Sequence, residues 1–139
     1  MDKQALRALI LEILQEQQGA GGIRKALPDQ VVITEADRLP TGNAGDQVFT
    51  HDLFTLEESP RLGAGVMEMR ATTFPWTLQY DEIDYVLEGT LSIRSNGSTV
   101  TAGPGQLILI PKGSAIEFSA PDYARFLYIT YPADWQGQG

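Results

Sequence analysis

Two carboxylates, Glu82 and Asp84, stand two residues apart in the run Asp81-Glu-Ile-Asp-Tyr-Val-Leu87. On an extended strand such residues share a face, so both acids project one way while Ile83 and Tyr85 project the other. Carboxylates separated by roughly 6–7 Å of strand and facing an apolar interior repel each other and raise the pKa of at least one. Together they suit a hard, oxygen-seeking ion such as Mg²⁺, which takes one or two protein carboxylates and completes its shell with substrate phosphates. Tyr80 and Tyr128 are candidates to line the same interior and position a substrate, and Arg125 is the side chain best suited to a two-point grip on carboxylate or phosphate. A purely structural reading uses the same residues: Glu82 pairs with Arg125 or a tyrosine hydroxyl and binds no ligand. Lys112, in a Pro-Lys-Gly turn, is either a solvated lysine or a phosphate contact, and Trp76 is either core or the floor of the cavity.

Other chemistries are excluded by residue count. His51 is the only histidine and there is no cysteine, which removes imidazole-rich and thiolate metal sites and any disulfide. His51 reads instead as a hydrogen-bonded core or rim residue. No segment has the GxxxxGK[ST] pattern that cradles nucleotide phosphates, and no Ser-His pair can activate a serine. Phosphoryl chemistry would rest on a metal, Arg125 and positioning. A net charge of −8, with only ten Lys and Arg, argues against nucleic acid and against an anionic membrane surface. The apolar stretch Ala8–Leu11 near the start is far short of the roughly 20 residues of a membrane span, and the acidic residues around it suit no secretory or mitochondrial leader. A cytoplasmic protein is the simplest expectation.

The elements that must position these residues divide the chain in three. Residues 2–18 predict an amphipathic helix: Leu6, Leu9, Ile10, Ile13 and Leu14 form one stripe, with Asp2 as N-cap. Residues 19–30, opening with Gly19-Ala20-Gly21-Gly22, read as a linker. Residues 31–139 carry short β-branched and aromatic runs: Val31–Thr34, Gln47–Thr55, Gly65–Arg70, Ile83–Leu87, Leu91–Arg94, Leu107–Ile110, Ile116–Phe118 and Phe126–Tyr131. Turn signals such as Asn96-Gly97, Pro111-Lys112-Gly113 and Pro121-Asp122 separate them, which predicts an all-β sandwich or barrel. Leu39–Asp46 reads as a surface loop.

Two spacings narrow the fold. Glu82 and Gly89 keep the glutamate-to-glycine interval of the first cupin motif, with Trp76 and Leu78 where its histidines would stand. Gly105, Pro111 and Gly113 keep the second motif, with Ile116 at its histidine. The segments Phe74–Gly89, Ile110–Phe118 and Arg125–Trp135 closely resemble the EutQ family of ethanolamine utilisation proteins, a branch of the cupin superfamily. The resemblance implies a cupin (double-stranded β-helix, or jelly-roll) barrel behind the N-terminal helix, homodimeric and associated with a bacterial microcompartment. It also implies an acetate kinase activity, interconverting acetyl phosphate plus ADP with acetate plus ATP, with Mg²⁺ and ADP or ATP as cofactors.

On that basis Glu82, Asp84 and Arg125 are the candidate catalytic residues, with Glu82 and Asp84 holding Mg²⁺. Tyr80, Tyr128, Trp76 and Lys112 are the candidate substrate contacts. No Fe, Mn or Zn site is expected, and a metal-dependent dioxygenase or isomerase is disfavoured by Trp76, Leu78 and Ile116. A short amphipathic helix behind a glycine linker also looks like an encapsulation peptide, which docks its apolar stripe on a shell or cargo protein; packing on its own barrel or a second copy is the alternative. The second functional reading is a non-enzymatic scaffold or ligand-binding cupin that docks through residues 1–18.

Overall fold

The computed structural model describes residues 2–18 and 22–138, with side chains described at 2–11 and 22–137. Helix α1 spans Lys3–Gln18. Asp2 caps it, its Oδ1 accepting from the Ala5 N–H at 2.7 Å, which satisfies one of the free amides of a first helical turn. Leu6, Leu9 and Ile10 of the stripe are 50%, 41% and 48% exposed. The Ile13 and Leu14 side chains, and Gly19–Gly21 of the expected linker, lie outside the described residues.

Seven strands follow: β1 Gln47–Asp52, β2 Gly63–Thr77, β3 Asp81–Gly89, β4 Leu91–Ser95, β5 Ser98–Ala102, β6 Leu107–Ile110 and β7 Ala115–Tyr131. They form one antiparallel sheet in the order β1-β2-β7-β3-β6, with β4 pairing both β7 and β5. Asn96 and Gly97 close the β4–β5 hairpin at φ 51° and 80°, the positive pair that their sequence signal requires. The expected strand Val31–Thr34 is instead irregular chain between two short 3₁₀ turns, Pro28–Gln30 and Glu35–Asp37.

Pro121-Asp122 is not the turn that its composition suggests. Strands β2 and β7 run on through a shared bulge, where the register passes from Arg70 opposite Tyr123 to Thr72 opposite Ala120. Ala71, at φ 46°, and Pro121-Asp122 fall in the gap, where a proline forfeits no ladder bond. The two long strands bend there and form the frame of the fold.

The closed jelly-roll barrel expected from the sequence is not formed. The fold is all-β and cupin-like, but among the described residues no ladder joins β1, β5 and β6 to close the sheet. The β5–β6 connection shows why. Gly105 N–H donates to Val86 O at 2.9 Å and Val86 N–H to Gln106 O at 3.1 Å, so this backbone pairs with β3. Strand β6, four residues long, then takes β3 as its ladder partner, leaving β5 as an open edge.

The inner face of the sheet holds the core, including the wholly buried Val48, Met69, Phe74, Leu78, Val86 and Phe126. Burying such side chains is worth about 1.5–3 kcal/mol each. Leu78 and Ile116, at two of the cupin histidine positions, are 0% and 5% exposed and belong to this core.

Candidate functional site

Strand β3 inverts the usual pattern of a half-buried strand. Its inward residues are Glu82, Asp84 and Val86, and its outward ones are Ile83 and Tyr85, 39% and 36% exposed. The ladders force this: Glu82, Asp84 and Val86 lie opposite Thr130, Tyr128 and Phe126 of β7, all on the core face. Glu82 is 5% exposed and Asp84 fully buried. Glu82 Oε2, both Asp84 carboxyl oxygens and Thr130 Oγ1 have no hydrogen-bond partner. Burial pushes both carboxyls up, and Asp84, which also feels Glu82, stands well above the ordinary aspartate value. Two neighbouring carboxyl groups can bond to each other only when one of them carries a proton.

Aromatic rings stand around Glu82. Trp135 is the hub, with centroids 6.1 Å from Trp76, 6.1 Å from Tyr80 and 5.7 Å from Tyr128. Trp76 Nε1–H donates to Tyr80 Oη at 2.8 Å, and Tyr128 Oη–H donates to Asp52 Oδ1 at 2.6 Å. Burial raises both tyrosines above their ordinary value, with the Asp52 bond adding to the rise at Tyr128. The Tyr128 ring lies across Gly65, where any Cβ would collide with its Cζ and hydroxyl. Glu82 and these four rings line a cleft with Leu39, Thr50, Met67, Phe74 and Phe118, and its free volume is about 10 Å³. That is room for about one water.

The structure therefore gathers Trp76, Tyr80, Glu82, Asp84 and Tyr128 and sets the two cations elsewhere. Arg125 projects from the opposite face of β7, where its guanidinium donates to Glu68 Oε1 at 2.6 Å and to the Pro28 and Val31 carbonyls at 3.0 Å each. It ties the N-terminal segment to the back of the sheet. Lys112 is exposed in the β6–β7 turn, with its backbone N–H on Asp81 Oδ1 at 2.8 Å. His51 sits outside the cleft on Asp37 Oδ1 at 2.9 Å.

Trp135, Asp52 and Gly65 are among the members that the sequence reading did not place here. A glycine inside a strand run signals the close approach of another group, so Gly65 carried a clue; Trp135 lies on chain that nothing local directs inward, and Asp52 is an exposed residue at the end of β1 that reaches the Tyr128 hydroxyl.

Comparison with known proteins agrees with this architecture. The family model for ethanolamine utilisation protein EutQ matches residues 1–137. The chain belongs to the EutQ family. The acetate kinase EutQ of Clostridioides difficile is 52% identical over 151 residues, covering 99% of this chain and 96% of that protein. The acetate kinase EutQ of Salmonella typhimurium is 51% identical over 85 residues, which is 61% of this chain and only 37% of that longer protein. The solved structure of the Clostridium difficile EutQ protein superposes at TM-score 0.85 with 61% identity, over 88% of this chain and 89% of that one.

Glu82 and Asp84 offer the oxygen donors that Mg²⁺ prefers, but they do not fit a resident ion. Among the described residues no group of three or more His, Cys, Asp or Glu side chains gathers for a metal. Octahedral Mg²⁺ keeps several waters or phosphate oxygens, and the cleft has space for about one.

Proposed function

We propose that this EutQ-family chain is an acetate kinase, interconverting acetyl phosphate plus ADP with acetate plus ATP, in the bacterial cytoplasm at a microcompartment. The observation that carries the reading is the full-length relative of that name, matched over 99% of this chain and 96% of its own length. The geometry supports a substrate site outside the aromatic cleft. The aromatic cleft is too small for a nucleotide, and it is lined by Glu82 with no Lys or Arg to meet a phosphoryl group. The groove between the end of β2, the start of β7 and the β4–β5 hairpin has about 520 Å³, the size of a small-ligand site. It presents Arg94, Ser95, Ser98 and Thr99, with Trp76 at one wall and the acidic Glu117, the ladder partner of Arg94, at another. Arg94 is exposed and makes no ion pair among the described residues. It is the cation best placed to meet phosphate, and Mg²⁺ arrives with the nucleotide.

ATP formation from acetyl phosphate and ADP, with Mg²⁺ or with chelator, tests this in wild type, Arg94→Gln and Glu82→Gln. The expected result is Mg²⁺-dependent turnover that falls about a hundredfold in Arg94→Gln, the loss typical of one transition-state charge contact. A comparable fall in Glu82→Gln, with Arg94→Gln unaffected, would return the chemistry to the carboxyl pair.

The second reading is docking. Leu6, Leu9 and Ile10 of the α1 stripe are 41–50% exposed, which supports a helix that lays its apolar stripe on a shell or cargo protein. The outward face of β6, β3 and β7 supports homodimerisation. Leu107, Leu109, Ile83, Ile129 and Tyr131 are 65%, 68%, 39%, 42% and 56% exposed there, with Ile83 directly opposite both Leu109 and Ile129. A contiguous apolar patch of this kind marks a protein interface. Leu109→Glu should leave a folded monomer by light scattering; an unchanged dimer would assign the patch to another partner.

A further inference from the structure

We propose that the aromatic cleft is a binding site for a small organic cation, specifically the head group of a primary ammonium compound. This goes beyond the kinase reading and does not depend on it. The first observation is Glu82: its Oε2 is buried without a partner, and its side chain is one wall of the cleft. A buried acceptor left unbonded is costly, and a donor arriving from outside removes that cost.

The second observation is the character of the remaining wall. Trp76, Tyr80 and Tyr128 are grouped around Trp135 at centroid distances of 5.7–6.1 Å. Aromatic faces with a carboxylate are the chemistry that recognises ammonium ions. The charges nearby point the same way. Asp84 lies behind Glu82, Asp52 is bound to the Tyr128 hydroxyl, and Asp37 adds its field at Tyr128. His51 on the same side is held by Asp37, and Arg38 by Glu35. This field repels acetate and phosphate and attracts a cation.

Size and donor set choose among cations. About 10 Å³ admits a head group the size of a water or an ammonium, and not a quaternary one. A hydrated metal ion needs several oxygens, whereas both tyrosine hydroxyls are already engaged, with Trp76 and with Asp52. Trp76 is only partly buried, so the rim there lets the rest of an amine extend into solvent.

The two tryptophans of the chain, Trp76 and Trp135, both line this cleft, so intrinsic fluorescence reports on it without a label. The full chain would be titrated at pH 8 and constant ionic strength with methylammonium chloride, and in parallel with tetramethylammonium, Na⁺, Mg²⁺, acetate and phosphate. Methylammonium is expected to give a saturable change that the other five do not reproduce. Glu82→Gln should weaken it at least about tenfold. Trp76→Leu, in which Trp135 still reports, should weaken it too, and it preserves the test should Glu82→Gln fail to fold. A response to phosphate or acetate in place of methylammonium would overturn the proposal, as would saturation by Mg²⁺ or tetramethylammonium. So would a methylammonium response that is the same in both variants.

Discussion

Replacing Asp84 by Asn should stabilise the protein at pH 8, an unusual outcome for a fully buried residue. Asp84 has no exposure and neither carboxyl oxygen has a donor. In wild type the pair must either hold a proton that solution at pH 8 does not readily supply or bury a second negative charge. The carboxamide is nearly isosteric, carries no charge and offers an N–H to Glu82. Relieving one buried, unsatisfied acceptor is worth about 1–3 kcal/mol, and each kcal/mol moves Tm by about 3–5 °C in a chain of this size. The sign with pH follows from the raised carboxyls. Above an unfolded carboxyl pKa of about 4 the folded state binds more protons than the unfolded, so this contribution to stability is fully present below about pH 4 and is lost as pH rises through the raised folded values.

Wild type should therefore lose stability as pH rises above about 4, while Asp84→Asn flattens that slope. The surface acids act in another window. Glu35, lowered by its bond from Arg38, and Glu58, lowered by the Thr55 N–H, contribute stability present above about pH 4.5 and lost below it. Burial raises the Tyr80 and Tyr128 hydroxyls, so their effect falls above about pH 10. Thermal melts of both proteins at steps from pH 5 to 9 separate these windows. A wild-type Tm that climbs with pH across that range, or an Asp84→Asn protein several degrees less stable at pH 8, would refute the reasoning and require a donor for Asp84.

Gly65→Ala should cost about 3 kcal/mol or more and disturb Trp fluorescence, because its Cβ meets the Tyr128 ring and hydroxyl and displaces the ring packed on Trp135. Arg125→Met removes the 2.6 Å partner of Glu68, which is 8% exposed and keeps Tyr123 Oη at 3.2 Å and Arg70 at 3.7 Å, and should cost about 1–3 kcal/mol in denaturant unfolding. It should also speed proteolysis within residues 22–34, which lose the two carbonyl contacts at Pro28 and Val31. Deleting residues 1–18 should leave Tm within about 2 °C, since surface elements that bury little contribute little, while abolishing retention by microcompartment shells in a co-sedimentation assay. A drop of 8 °C or more would mean that the helix packs on its own fold.

Much of the architecture was legible because strand chemistry is local. The Asn96-Gly97 hairpin and the shared face of Glu82 and Asp84 follow from turn geometry and the two-residue period, and the structure shows both. Closure of the sheet was not legible. Whether β5 meets β6 depends on where the backbone of Gly105 and Gln106 finds its partners, and those lie on β3. The continuity of β2 and β7 was hidden for a related reason: Pro121 reads as a stop unless the bulge at Ala71 is known to absorb it.

At the site, residue type suggested that Arg125 would join Glu82, since a buried acid invites a cation. Parity decides otherwise. Arg125 is one residue from Phe126, and a one-residue step on a strand changes the face, so it serves Glu68 on the back of the sheet. The inward carboxylates of β3 contradict the polar-out rule, and such local contradictions mark functional positions.

The most direct test of the central claim is ATP synthesis from acetyl phosphate and ADP by the purified wild-type chain, measured across the fractions of a size-exclusion column. Turnover that tracks the protein peak, requires Mg²⁺ and is lost in Arg94→Gln is the expected result. A folded protein whose fractions make no ATP, or activity that elutes apart from it, would contradict the kinase assignment and leave helix docking as the function to pursue.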